Sequence, residues 1–197
     1  MNDRLKNIKR TTLSKEWATL YRIDYDYKFN NGVWKSVSRE SYDRGNGACV
    51  LLYNPQKNTV ILTSQFRMPV YENNDNKGYS IEVCAGVIDG NEDAETCVIR
   101  ETEEEVGYKI LKAKKVLETY MSPGAVTEKI FLFVAEYNET MKVNSGGGLI
   151  SEREEIEILE IPFSKALTMM STGEIQDAKT VMLLQYAQLN TLVSCED

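Results

Sequence analysis

The sequence predicts an α+β protein: a mixed β-sheet with helices packed on its faces, preceded by a separate β-hairpin unit. Three observations carry this. Residues 21–29 alternate strictly, with Tyr21, Ile23, Tyr25, Tyr27 and Phe29 on one side and Arg22, Asp24, Asp26 and Lys28 on the other, the period of a strand with one buried face. A single well-marked helix runs from near Asp93 to a glycine stop at Gly107. Strand-like segments otherwise outnumber helical ones and alternate irregularly with them, the pattern of a mixed sheet covered by helices.

The elements follow in order. Asn31-Gly32 after the first alternating run is a dipeptide suited to the positive φ angles of a two-residue hairpin turn, and residues 33–42 supply the returning strand. Asp43-Arg44-Gly45-Asn46-Gly47 marks a break, so the chain divides into an N-terminal hairpin unit, residues 1–43, and a larger domain, residues 44–197. The apolar runs 48–53 and 59–66 flank Asn54-Pro55-Gln56-Lys57-Asn58, a turn by composition, and read as paired core strands. A polar loop through residues 73–78 leads to a strand at 80–84, a glycine-containing loop and the helix. Beyond it, residues 115–121, 129–137 and 156–161 read as strands, and 164–171 and 178–189 as helices. Residues 138–155, with Gly146-Gly147-Gly148 and several charges, read as a mobile loop.

Composition narrows the chemistry. There is no histidine, which excludes a Ser-His-Asp triad, a Cys-His pair and histidine-ligated zinc. Acid–base or metal chemistry must then run on the thirty Asp and Glu side chains, whose oxygens suit hard cations such as Mg²⁺ or Mn²⁺. A net charge of -7 makes a general nucleic-acid binder a poor expectation. Cys49, Cys84, Cys97 and Cys195 form no CxxC pair, and the N-terminal residues lack the apolar run of a signal peptide. Both point to free, buried thiols in a cytoplasmic protein. No stretch approaches the ~20 apolar residues of a membrane span.

The most informative segment is Gly86-Val87-Ile88-Asp89-Gly90-Asn91-Glu92 followed, seven residues later, by Arg100-Glu101-Thr102-Glu103-Glu104-Glu105-Val106-Gly107-Tyr108. On a helix, Glu101 and Glu105 share a face and Glu104 lies three from Glu101. Such like-charge pairs destabilise an isolated helix by roughly 0.2–0.5 kcal/mol each. A divalent cation is one compensation; a plain solvated face is the alternative reading. Arg100 is placed to orient or neutralise a carboxylate, and Glu92 either favours the helix N-terminus or bonds to Arg100.

The order of these residues resembles the signature of the Nudix superfamily, with Gly86, Glu92, Arg100, Glu101, Glu104, Glu105 and Gly107 in register and Thr102 and Tyr108 as mild departures at apolar positions. The resemblance extends to Asp43–Gly47, Gln65-Phe66-Arg67, Glu82–Gly86, Tyr120–Gly124, Thr127-Glu128, Gly146–Gly148 and Asp177–Thr180, which look like the nucleotide-sugar branch and in particular the GDP-mannose hydrolases. It implies a Nudix-type α/β/α sandwich, Mg²⁺ dependence, and a homodimer in which the N-terminal strands cross to the other subunit. The implied reaction cleaves GDP-mannose to GMP and mannose 1-phosphate, with no nucleic-acid or membrane partner. A related ADP-ribose or ADP-sugar pyrophosphatase is the alternative, and a catalytically silent nucleotide sensor a third, disfavoured by the intact signature.

By the same resemblance, the Ala85 carbonyl and the side chains of Glu101, Glu105 and Glu154 hold metal, with Glu105, Glu154 and Arg100 as the catalytic group. Glu152 and Glu155 are the alternatives to Glu154. Trp17, Ser38, Arg39, Glu40, Arg67, Ala85, Gly86, Val87, Glu128 and Lys179 are the implied substrate contacts. Trp17 reads equally as hairpin packing, and an aromatic stacked on a base is worth ~1–3 kcal/mol.

Overall fold

The structure is a computed structural model that describes residues 3–75, 77–149, 151 and 154–194. It divides into two compact units, Met1–Asn46 with Thr119–Lys129, and Gly47–Glu118 with Ile130–Asp197.

The first unit is built on a three-stranded antiparallel sheet, β1 (Leu5–Lys15), β2 (Thr19–Lys28) and β3 (Trp34–Asp43), in the order β1-β2-β3. The alternation in the sequence begins only at Tyr21, so β1 is an addition to the expected hairpin. Its side chains are exposed except for half-buried Leu5 and Thr11, which leaves no alternation to read. Backbone pairing with β2 makes it a strand, with register slips between Lys6 and Lys9 and between Thr12 and Ser14. The β2–β3 turn also differs from the two-residue form. Lys28 and Trp34 are the last paired residues, Gly32 N–H donates to Phe29 O at 2.9 Å, and Gly32 alone takes a positive φ, 81°. This longer loop, a turn closed by a left-handed glycine, is of the kind next most common after the two-residue turns. The 119–129 segment is fastened to the end of β3. Tyr42 N–H donates to Ala125 O at 2.8 Å, Thr127 N–H to Tyr42 O at 3.0 Å, and Thr127 Oγ1 to Asp43 Oδ1 at 3.0 Å.

The second unit carries a seven-stranded mixed sheet of β4 (Gly47–Asn54), β5 (Thr59–Phe66), β6 (Tyr79–Glu82), β7 (Cys84–Val87), β8 (Lys114–Tyr120), β9 (Lys129–Glu136) and β10 (Glu157–Pro162). The main path is β10-β5-β4-β9-β8, with β6 on β5 and β7 on β4. The β4–β9 pair is parallel, whereas β5 is antiparallel to both β4 and β10. β4 is central and its continuous apolar run has a matching cause: nearly every residue is buried, on both faces. Ala48, Val50 and Leu52 join one core with Cys97 and Val98 of α2 (Ala94–Glu101). Cys49 and Leu51 point the other way, toward the side where α4 (Ala178–Leu189) meets β4 and where Phe163 and Leu183 are also fully buried. Helices thus cover both faces, the expected α/β/α sandwich, with α3 (Phe163–Thr172) beside α4.

The short helix α1 (Met68–Asn73) leaves no mark in the sequence, because none of its residues is buried and its six positions show no periodicity. Cys49, Cys84 and Cys97 are free and buried, while Cys195 lies outside the described residues. No helix among the described residues is long and apolar enough to cross a membrane.

Candidate active site

The glutamate-rich segment starts as expected. Asp93 caps α2, its carboxylate accepting from Thr96 N–H at 2.8 Å. The last turn, Thr102–Val106, is a π turn rather than a continuation of the α-helix, and Gly107 ends it in the left-handed region at φ 76°. Thr102 supplies a reason: its hydroxyl donates to Val98 O at 2.6 Å, the back-bonding that bends helices.

Arg100 gathers three of the signature carboxylates. Its Nη2 donates to Glu92 Oε1 at 2.8 Å, and its Nη1 to Glu101 Oε1 at 2.8 Å and Glu104 Oε2 at 2.9 Å. Of the two roles open to Glu92, the structure shows the bond to Arg100. Glu105 is different. It is 3% exposed, with Oε2 accepting from Ala85 N–H on β7 at 3.1 Å. Burial pushes its carboxyl up to about 8, with the charges of Glu101 and Glu154 adding to the rise against the opposing Cys84 and Ala85 hydrogen bonds. Glu101 is pushed up to about 7, again by burial first, with Glu104 and Glu154 adding and Arg100 opposing.

Glycine at position 86 is explained by Glu101. A Cβ there would lie 1.8 Å from Glu101 Oε1 and 2.2 Å from its Cδ. The obstacle is the flexible end of a side chain, so Gly86→Ala should fold with little loss of stability by pushing the Glu101 carboxylate aside. Any turnover that depends on a divalent cation should fall at least about tenfold, as when a group supporting a metal ligand is removed. Thermal melts beside steady-state rates check this, and wild-type turnover in a folded Gly86→Ala protein would remove Glu101 from the site.

Residues 143–148 of the segment expected to be a mobile loop are held by backbone hydrogen bonds, a correction to the reading of their glycines. Gly147 N–H donates to Glu105 O at 2.8 Å and Gly148 N–H to Glu104 O at 3.3 Å, so the loop satisfies carbonyls left open at the end of the π turn. Gly146 and Gly148 need φ of 62° and 80°, and a Cβ on Gly148 would lie 2.7 Å from Glu154 Cβ. Glu154 Oε2 accepts from Leu149 N–H at 3.2 Å. The loop therefore carries Glu154 to where its charge bears on Glu101 and Glu105. Glu155 is exposed, and Glu152 lies outside the described residues.

Arg67 and Lys179 meet on Glu82, a residue to which the sequence motifs attach no role. Arg67 Nε and Nη2 form a fork on Glu82 at 2.9 and 3.0 Å, while Lys179 Nζ donates to Glu82 Oε2 at 2.6 Å and Asp177 Oδ1 at 2.8 Å. Burial raises the Glu82 carboxyl, but the Arg67 hydrogen bond and the Lys179 charge outweigh it and hold it at about 2. Arg67 remains partly exposed, and two of its five N–H donors serve Glu82.

In the first unit, Trp17 is 73% exposed in the turn between β1 and β2. Ser38, Arg39 and Glu40 lie along β3, where Arg39 and Glu40 line a cavity of about 560 Å³ with Tyr25 and Tyr120. Glu128 is buried and paired with Arg44. Val87 is exposed, its carbonyl accepting from Cys97 Sγ at 3.5 Å. Sequence reasoning missed Glu82, Asp177 and Arg44 as working residues, although each lies in a segment that stands out in the sequence.

Among the described residues no three His, Cys, Asp or Glu side chains already stand as a metal cage. Arg100 occupies Glu101 Oε1 and Ala85 N–H occupies Glu105 Oε2. The donor set nonetheless fits a hard divalent cation. It is all oxygen, and burial, with the charges of neighbouring acids that include Glu154, raises the proton affinity of Glu101 and Glu105 for want of positive charge.

This fold and carboxylate helix agree with comparison to known proteins. Residues 43–184 match the NUDIX domain, and the chain belongs to the Nudix family of pyrophosphohydrolases. Residues 4–42 match the GDP-mannose pyrophosphatase NudK N-terminal domain. The chain is 47% identical over 193 residues to the GDP-mannose pyrophosphatases of Escherichia coli O157:H7 and Shigella dysenteriae serotype 1, covering 98% of this chain and 100% of each relative. The Yersinia pestis GDP-mannose pyrophosphatase is 47% identical over 190 residues, 96% of this chain and 94% of its own.

Proposed function

We propose that this protein hydrolyses GDP-mannose to GMP and mannose 1-phosphate with Mg²⁺, acting as a cytoplasmic homodimer. The observation that carries the reading is the match of residues 4–42 to an N-terminal domain that bears the GDP-mannose pyrophosphatase name, joined to an intact carboxylate helix. Three buried free thiols are in keeping with a reducing compartment.

In this reading Glu101, Glu105, Glu154 and the Ala85 carbonyl hold the cation. When bound, Mg²⁺ supplies positive charge against the pyrophosphate oxygens and makes a water more acidic. Arg100 fixes Glu101 and Glu104, so the carboxylate geometry exists before substrate arrives. Glu154, on its fastened loop, accepts the proton of the attacking water as a new P–O bond forms. The anhydride P–O bond breaks, and the phosphate leaves with its electron pair. Arg67 and Lys179 face the phosphates or sugar, Glu128 the phosphate–sugar region, and Gly86 and Val87 line the approach. Trp17, Ser38, Arg39 and Glu40 meet the nucleotide.

The test is a panel of GDP-mannose, ADP-ribose and UDP-glucose with Mg²⁺, the products separated by anion exchange and the enzyme's mass taken by light scattering. GMP release from a dimer, faster than AMP or UMP release, is expected. Preferred AMP release from ADP-ribose overturns the substrate, and a monomer overturns the assembly.

A further inference from the structure

Arg44 stands between two side chains that are distant in sequence. Its guanidinium carbon lies 5.1 Å from the centre of the Trp17 ring, and its Nε lies 3.3 Å from Glu128 Oε1. The Nε–H is not aligned on the carboxylate and has no hydrogen-bond partner, so charge attraction rather than hydrogen-bond direction holds the pair. Trp17 is the exposed member. It sits in a turn where Glu16 N–H donates to Ala18 O at 3.2 Å. A solvent-facing indole at such a tip has rotamer freedom, and a cation over one face restricts it while leaving the other face for an aromatic ligand. Glu128 is the buried member, 8% exposed. A carboxylate there needs a counter-charge, the more so if an anionic ligand is to approach. Arg44 is itself held at the end of β3, where Asp43 accepts from Thr127 Oγ1 and, at 3.3 Å, from Gly45 N–H.

We infer that Arg44 is a positioning residue for the nucleobase: anchored by Glu128, it fixes the Trp17 ring in a stacking pose, without itself touching the reacting phosphates. This rests on the reading that Trp17 stacks on the base of a nucleotide sugar. A purely structural ion pair would predict stability changes alone. A positioning role predicts an effect on ligand affinity that passes through Trp17.

The experiment compares Arg44→Met, Arg44→Lys, Trp17→Leu and the Arg44→Met/Trp17→Leu double variant, with GDP-mannose turnover and GMP binding as readouts. Trp34→Phe leaves Trp17 as the single tryptophan, so emission reports on this ring. Arg44→Met should raise KM and the GMP Kd about tenfold with kcat changed by no more than about twofold, the scale expected when one cation–π interaction is removed. It should also shift Trp17 emission in the free protein, and Arg44→Lys should restore most of both. The double variant should be no worse than Trp17→Leu alone. Additive effects, an unchanged KM, or a loss confined to kcat overturn the inference. Should Arg44→Met fail to fold, Arg44→Gln takes its place with the same expectations. A wild-type enzyme that prefers ADP-ribose sinks the substrate assignment instead, and the same cycle run with ADP-ribose and AMP still decides the role of Arg44.

Discussion

Glu105→Gln is expected to lose about 10²–10³-fold in turnover measured with Mg²⁺, the loss typical when one group stabilising transition-state charge is removed. The substitution is nearly isosteric. Its amide oxygen can still accept from Ala85 N–H, now 3.1 Å from Glu105 Oε2, so the π turn and β7 stay joined. What disappears is an ionisable carboxyl that burial and the charges of Glu101 and Glu154 hold up at about 8. Without metal, the amide spares folding the cost of protonating that buried carboxyl, so the melting temperature should hold or rise. With metal, the stabilisation a cation gives by binding only the folded state should shrink. The two melts separate a catalytic loss from a folding defect. Near-native turnover in the folded variant would show that the carboxylate cluster does not run the reaction.

How much of this is legible in the sequence depends on whether side chains or backbone carry the element. β5 reads at its observed bounds, Thr59–Phe66, because its apolar run is buried and flanked by turn residues. β1 is invisible because exposed side chains on LKNIKRTTLSK carry no period, though its backbone pairs along β2. The Gly146–Gly148 loop reads as mobile because composition cannot reveal that its N–H groups cap the carbonyls of Glu104 and Glu105. The carboxylate helix is legible since its residues are local and fixed in spacing. The two clamps are not: Glu82 meets a lysine 97 positions away, and Arg44 joins Trp17 to Glu128. Long-range polar pairs leave no periodic trace.

The largest stability effect is expected at Glu82. Glu82→Gln would leave Arg67 and Lys179 facing a neutral amide in a largely buried place, and breaking such a pair by removing one partner costs about 3–5 kcal/mol. Arg67 is partly exposed and can regain water, which favours the lower figure. The pH dependence gives an independent check. The Glu82 carboxyl is held at about 2 against an ordinary 4.5, so its contribution is present in full above pH 4.5 and is lost as pH falls toward 2. Denaturation of wild type and variant in urea should therefore show a constant gap from about pH 7 to pH 5 that closes as pH falls below 4.5. A gap unchanged at about pH 3 would mean that the ion pairs are not what Glu82 contributes. Replacing Arg67, Glu82 and Lys179 together by methionine sharpens the distinction. Stability should return part of the way to wild type, since a well-packed apolar trio can match a buried ion network while Asp177, now 2.8 Å from Lys179 Nζ, loses its cation. Nucleotide-sugar affinity should not return, because the two cations proposed to face the phosphates would be gone. Recovery of both in the triple variant would make the network purely structural.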